Sequence, residues 1–520
     1  MIRKPKIRMT AIGVVAVAWT LAIGPVEVSR AFPLGDVDLP SGKENTSVIV
    51  QNAGTEPATI VMDVYRPDGT IVPGATREEE DVPVGGTRNF PQSANENLDL
   101  GFRGLGVVSA SEPVNALIVR DILNSAGLKS YSIASGAAAG GRKLAIPIAF
   151  NELLSNQWNS RVAVVNAGTQ TSCVKVTYFP VGEGKQPVID QPTGQPGCPG
   201  GGHAVPVAGQ ITLGRTGTNV TRFPEATDNN QMAILIEVLN AGDNNVAANV
   251  DIYRSDGNRL LGAYEGLVID DTNPGDDDVG TNIIVPLAIK SQSGFYSVIG
   301  VLNVGDGSSD VQIRYQGVDG NQTAIDHTVT LQDVTNVGVH SIYSSNEIPL
   351  GFIGYATVTS SQPMGAVLIR GKQTTAFSGV NEPTYSAGRA VPVDQAGLVW
   401  NLPLIFRRLS ASGSFFGYNS WIQVQVPDGS TAQVTLRFVG DPVFAGDCPT
   451  GPFEASFPVN GSKVFLMNAE SDNGFPPDNA PICFFGGAQV IADKNVIVIS
   501  NVTADHFGNS DADGLYNGFR

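Results

Sequence analysis

Apolar and polar residues alternate in short runs along this chain. Val174, Val176 and Tyr178 fall on one side of an extended segment whose other side carries Lys175 and Thr177. Val434, Leu436 and Phe438 stand opposite Thr435 and Arg437 in the same way. A period of two predicts strands with one buried and one wet face. That pattern belongs to antiparallel sheets packed as a sandwich, not to a parallel α/β sheet.

The pattern repeats. Leu100–Arg120 (LGFRGLGVVSASEPVNALIVR) matches Leu350–Arg370 (LGFIGYATVTSSQPMGAVLIR) without a gap, at Gly101/Gly351, Phe102/Phe352, Gly104/Gly354, Val108/Val358, Ser111/Ser361, Pro113/Pro363, Ala116/Ala366 and Arg120/Arg370 among others. Each stretch reads as a strand, a Ser-x-Pro turn and a second apolar strand, so the matched residues are structural devices rather than reagents.

A proline inside an apolar run marks four starts: Phe32-Pro33-Leu34, Ile146-Pro147-Ile148, Val285-Pro286-Leu287 and Leu402-Pro403-Leu404. After each start comes a strand ending at Asn52-Ala53-Gly54, Asn166-Ala167-Gly168, Asn303-Val304-Gly305 or Pro427-Asp428-Gly429, where glycine is expected to supply a positive φ. A second strand then ends in Tyr65, Tyr178, Tyr315 or Phe438, and each module closes with a tyrosine near a glycine: Tyr131, Tyr264, Tyr385 and Tyr516. The expected fold class is all-β: four tandem Ig-like antiparallel β-sandwiches over residues 32–140, 141–280, 281–390 and 391–520, arranged as independent beads. Gly 60 and Pro 33 in 520 residues suit a chain with many turns.

Residues 1–31 read as a signal peptide. Arg3, Lys4, Lys6 and Arg8 form its basic region, Met9 to Ile23 its apolar core, and Ser29-Arg30-Ala31 a cleavage site, which puts the mature start at Phe32. The alternative is an uncleaved anchor helix, against which the apolar core is short of the ~20 residues a span needs. Without residues 1–31 the chain has 27 basic and 48 acidic residues, a net charge of −21. An acidic surface repels nucleic acid and anionic lipid, so neither nucleic-acid binding nor stable membrane insertion after signal cleavage is expected.

Four cysteines in an exported chain should pair. Of three connectivities, Cys173 with Cys198 and Cys448 with Cys483 keep each pair inside one module; buried free thiols are the alternative. Cys198 would tether the Gly/Pro-rich stretch 182–210, expected to be a pinned surface loop too turn-laden for regular structure.

Calcium is the one cofactor the sequence suggests. Asp270, Asp271, Asp276, Asp277 and Asp278 put five carboxylates in nine residues at a module junction, where they either hold the ion or repel each other into an extended linker. Asn509-Ser510-Asp511-Ala512-Asp513-Gly514 is a weaker second run that lacks the distal glutamate of an EF-hand loop. The four histidines (His203, His327, His340, His506) lack zinc spacing, and the chain has no Gly-x-Ser-x-Gly elbow, Walker loop or dinucleotide fingerprint. No enzyme is expected. Trp158 is assigned to core packing and Trp400 to the joint between modules 3 and 4; Phe415-Phe416 beside Tyr418 is the candidate exposed apolar patch. Five Asn-x-Ser/Thr sequons stand at Asn45, Asn219, Asn321, Asn460 and Asn501.

The succession of Pro-Leu start, aromatic-x-Ser strand, Asn-x-Gly turn, Gly-Phe-x-Gly strand, Ser-x-x-Pro turn and terminal Tyr-Asn-Gly resembles tandem β-sandwich modules of secreted, cell-surface proteins of filamentous, Chloroflexota-type bacteria. Module 2 departs from it by lacking Gly-Phe-x-Gly. The resemblance implies extracellular β modules and little about activity. The expected function is a secreted structural protein of the cell surface, a surface-layer, sheath or extracellular filament subunit whose partner is itself. The alternative is an adhesin that binds cell-envelope glycans through loops of modules 2 and 4.

Overall fold

In the computed structural model the alternating segments are strands. It describes residues 15–20 and 42–520, except 100, 125–128, 137–139, 154–157, 183, 216–219, 243, 255–260, 270–276, 293, 343–344, 373–384, 408–417, 444–447, 468–483 and 505–510. The period-two reading is borne out. In Ala58–Tyr65 the buried residues are Ala58, Ile60, Met62 and Val64, and in Ser309–Val318 they are Ser309, Val311, Ile313 and Tyr315, with Asp310, Gln312 and Arg314 exposed. The chain is all-β and its sheets are predominantly antiparallel.

Each sequence repeat, called a unit below, contributes corresponding strands, except that residues 32–41 at the start of unit 1 lie outside the described residues. Unit 2 shows them most plainly. Lys143–Asn151, Ser172–Pro180 and Asn230–Val238 lie in one sheet, Trp158–Asn166, Val246–Arg254 and Leu261–Glu265 in the other, and a cluster including Leu144, Ile146, Val162, Val174, Tyr178 and Ile234 fills the space between. In unit 3 the Gly-Phe-x-Gly strand, and in unit 4 its counterpart beginning Phe484-Phe485-Gly486, fuses with the next one into a single strand, Phe352–Lys372 and Phe484–Ala504, which crosses from one sheet to the other.

The Asn-x-Gly turns work differently from expectation. Neither Gly54 nor Gly305 has a positive φ. The asparagine does the work: Oδ1 of Asn52, Asn166 and Asn303 accepts from the glycine N–H at 2.9, 2.8 and 3.0 Å. Their Nδ2 groups donate across the sandwich to the carbonyls of Val82, Val205 and Val334 at 2.9, 2.8 and 2.8 Å. A buried amide with those partners costs little and fixes the turn. Glycine is needed for close approach: a Cβ on Gly54 would strike Glu112, and one on Gly305 would strike Gln362, both in the Ser-x-x-Pro turns. In unit 4, Gly429 does have φ +70°.

The prolines that start units 2, 3 and 4 sit in bulges. Ile146 and Ala149 pair with Ile234 and Met232, so three steps along one strand match two along the other. Val285 and Ala288 against Ala356 and Gly354, and Leu402 and Ile405 against Ala488 and Gly486, repeat the arrangement. Proline has no N–H for the ladder, so a bulge is where a sheet tolerates it. In units 2 and 4 a tyrosine hydroxyl serves the residue after the proline: Tyr264 Oη donates to Ile148 O and Tyr516 Oη to Leu404 O. Tyr131 and Tyr385 stand three residues earlier in their strands than these two, so the four closing tyrosines are two different devices.

The units do not form a row of independent beads. The core of unit 1 takes in Val165 and Ala247 of unit 2, and that of unit 2 takes in Leu302, Val367, Ile369, Tyr385 and Ala387 of unit 3. Unit 3's core includes Ile499 and Leu515 of unit 4, and unit 4's includes Ile49, Leu117, Val119, Tyr131 and Ile133 of unit 1. The cycle closes, and Asp511–Asn517 of unit 4 pairs in parallel with Lys129–Ser135 of unit 1, at Asp511 with Ser130 and Ala512 with Tyr131. The second sheet of each unit is thus buried on both faces. Ala116-Leu117-Ile118-Val119, Ala366-Val367-Leu368-Ile369 and Val496-Ile497-Val498-Ile499 are at most 7% exposed at every position. Such uninterrupted apolar runs mark strands with no wet face.

Candidate functional site: the seams between units

The chemistry of this fold is concentrated where one unit meets the next. At one position, just before the Asn-x-Gly or Pro-Asp-Gly turn, Gln51, Val165, Leu302 and Gln425 are all buried. Each reaches the preceding unit. Gln51 Nε2 donates to Ala488 O of unit 4 at 3.1 Å, Val165 and Leu302 enter the cores of units 1 and 2, and the Gln425 side chain lies beside Tyr355 of unit 3.

The four seams combine ion pairs with ring contacts in two arrangements that follow the 250-residue repeat. The 1/2 and 3/4 seams are ionic. Arg120 Nη1 donates to Asp251 Oδ2 at 2.8 Å, its Nη2 bonds the other oxygen, and Arg161 Nη2 joins Asp251 Oδ2 at 3.1 Å. At the equivalent place Arg370 pairs with Asp513, whose Oδ2 also accepts from Ser386 Oγ at 3.0 Å and whose Oδ1 accepts from Asn501 Nδ2. The Arg370 guanidinium lies between the rings of Phe295 and Trp421, 4.9 and 5.4 Å from their centroids. Burial pushes the Asp251 carboxyl up, but the guanidiniums of Arg120 and Arg161 outweigh it and hold it below its ordinary value.

The 2/3 and 4/1 seams add ring-to-ring contacts to ion pairs, which at 4/1 bring Arg88 Nη1 to 3.9 Å from Asp441. Tyr385 of unit 3 lies 4.9 Å from Trp158 of unit 2, and Tyr131 of unit 1 lies 5.7 Å from Tyr418 of unit 4. The 2/3 seam adds Arg389, whose Nε is 3.0 Å from Glu265 and whose Nη1 pairs with Asp278. Burial raises the Glu265 carboxyl despite Arg389 beside it. These groups hold the units together; among the described residues no group of three or more His, Cys, Asp or Glu is placed to hold a metal ion.

The sequence candidates fall as follows. Cys173 and Cys198 are disulfide-bonded, with Cα atoms 5.5 Å apart. Cys448 is disulfide-bonded as well, and Cys483 lies outside the described residues. The stretch 182–210 is less irregular than expected: Val188–Asp190 and His203–Val205 each add a short strand to Ser172–Pro180, and Cys198 is fully buried beneath it.

Asp270, Asp271 and Asp276 lie outside the described residues. The Asp277 carbonyl accepts from Gln395 Nε2, and Asp278 is committed to Arg389 and to the Val268 N–H at 3.0 Å. In the second acidic run, Asp513 is 1% exposed and held by Arg370. Trp158 sits in a seam rather than in one unit's core alone, and Trp421, not Trp400, faces the neighbouring unit at the 3/4 joint. Trp400 is buried in its own unit, with Nε1 donating to Val496 O at 2.7 Å. Phe415, Phe416, Asn219 and His506 lie outside the described residues. Asn501 is fully buried, so its sequon is closed to modification in the folded chain; Asn321 and Asn460 are exposed.

The arginine–aspartate seams were not found from sequence. A signal existed: Arg120 and Arg370 each end an apolar run, where an unpaired charge would be costly.

No known protein family matches the chain, and no curated protein does. Among solved structures, the partial N-terminal region of an enterococcal surface protein aligns over 78% of this chain and 89% of its own length, at 9% identity and a TM-score of 0.16. Among the described residues no helix is long and apolar enough to cross a membrane.

Proposed function

We propose that this chain is a secreted structural protein of the bacterial cell surface, a subunit of a surface layer, sheath or extracellular filament, and not an enzyme. The observation that carries the reading is the cycle of shared cores: each unit completes its hydrophobic core with residues of the next, and unit 4 completes its own with unit 1. Units that share cores in this way give proteases fewer local openings than separate beads would. That suits a rigid building block better than a flexible spacer. The stretch 1–31, read as a leader, and the Cys173–Cys198 disulfide support an extracellular location.

A second reading, an adhesin for envelope glycans, draws on an open groove of about 470 Å³ between units 2 and 3, lined by Phe179, Pro180, Lys185 and Pro187 on one side and by residues 330–338 on the other. Electron microscopy of the purified secreted protein, run beside a glycan array, tests both. The structural reading expects ordered sheets or fibres and no saturable glycan binding; a monomer that binds a defined glycan would replace it with the second.

A further inference from the structure

In units 2, 3 and 4 the first strand of the unit lies against the Gly-Phe-x-Gly strand or its counterpart and carries the bulged proline. In unit 1 the same seat, along Arg103–Ala110, is taken by Val15–Thr20, which lies inside the stretch read as a cleavable leader. That occupant breaks the pattern of the other three. It has no proline, and it pairs one to one from Val15 with Val108 to Thr20 with Arg103, Val17 facing Gly106 and Trp19 facing Gly104, with no bulge.

The repeat arithmetic identifies a better fit. Twelve residues after Asn52, Asn166, Asn303 and Val426 come Val64, Tyr178, Tyr315 and Phe438, and these pair with Gly106, Ile234, Ala356 and Ala488. In units 2, 3 and 4 the residue opposite that partner is always the one before the proline: Ile146, Val285 and Leu402. The proline-containing start of unit 1 is Phe32-Pro33-Leu34. Pro33 precedes Asn52 by nineteen residues, as Pro147 precedes Asn166.

We propose that Arg103–Ala110 is a strand-accepting edge whose occupant changes on maturation. Once the leader is removed, Phe32-Pro33-Leu34-Gly35 of the same chain takes the seat, with Phe32 opposite Gly106, Gly35 opposite Gly104 and Pro33-Leu34 in the bulge. The seat has to be filled, because in unit 2 the equivalent strand gives Leu144, Ala145, Ile146, Ile148 and Ala149 to the core, all fully buried. Leaving it empty would expose the apolar floor of unit 1, including Leu105 and Val108, and an unpaired edge that invites association with other chains.

The test uses the chain beginning at Phe32. Hydrogen exchange is read on Arg103–Ala110, with Ala58–Tyr65 as internal reference, at two protein concentrations tenfold apart, and is compared with the Phe32→Asp/Leu34→Asp variant. The expected result is that Arg103–Ala110 exchanges at least about 100-fold more slowly in the unmodified chain than in the variant, at both concentrations. A photoreactive benzoylphenylalanine at position 32 gives a readout that does not depend on the variant folding; it should crosslink to Arg103–Ala110 within a monomer. Equal exchange in the two chains, or crosslinks that avoid this strand, would overturn the proposal. Protection that rises with concentration, with crosslinks joining two chains, would overturn it as well and name a second copy as the donor.

Discussion

Arg370 and Asp513 meet across the seam between units 3 and 4 with 3% and 1% of their side chains exposed. A buried ion pair adds little over an apolar pair of the same shape, but removing one partner strands the other charge. Arg370→Ala should therefore cost about 3–5 kcal/mol in urea unfolding, while Arg370→Leu combined with Asp513→Leu should cost less than either single change. A single variant within 1 kcal/mol of the parent would show that the pair is not dry.

The matching seam predicts an acid sensitivity. The Asp251 carboxyl is held below its ordinary value in the folded chain, with about 3.9 expected when unfolded. Its contribution is therefore complete above about pH 4 and is lost as pH falls through the folded value. Between pH 5 and pH 2, Asp251→Asn should lose less stability than the parent chain, measured as the shift in urea midpoint. Parallel losses in the two proteins would contradict this.

Leu302 precedes the turn of unit 3, yet it is 1% exposed because it enters the core of unit 2. Leu302→Ala should cost about 2–5 kcal/mol, whereas Leu350→Ala, at a site 71% exposed, should stay within about 0.5 kcal/mol. Thermal unfolding of the two variants side by side decides whether the seams stabilise the chain.

The Cys173–Cys198 bridge closes a separation of 25 residues and pins the stretch that supplies two edge strands. Cys173→Ser/Cys198→Ser should lose about 3 kcal/mol and open residues 182–202 to limited proteolysis. An unchanged cleavage pattern would mean that the short strands hold this segment without the bridge.

Much of this fold was legible in the sequence, and what was not has three physical causes. Alternation at Val434–Phe438 marks a strand whose Thr435 and Arg437 side is half-exposed, whereas in Val174–Tyr178 Lys175 is half-buried and Thr177 buried. Leu117-Ile118-Val119 and Val367-Leu368-Ile369, by contrast, have no polar side. Those runs said that both faces are buried, and hence that units must pack on one another. Landmarks chosen by residue type also slipped by small offsets. Tyr65 was matched to Tyr178 and Tyr315 where Val64 is the structural counterpart, and Tyr131 and Tyr385 were grouped with Tyr264 and Tyr516, which perform another task. The seams themselves were hard to read because Arg120 with Asp251, and Arg370 with Asp513, lie 131 and 143 residues apart. No local period encodes a contact at that distance.

The central claim is that the four units shut into a cycle, and small-angle X-ray scattering of the monomeric chain from Phe32 tests it most directly. A compact body of this length has a radius of gyration of about 23 Å. Four separate sandwiches in a row, each roughly 35–40 Å long, would give about 40 Å or more. The cycle predicts the first value, and the second would contradict it.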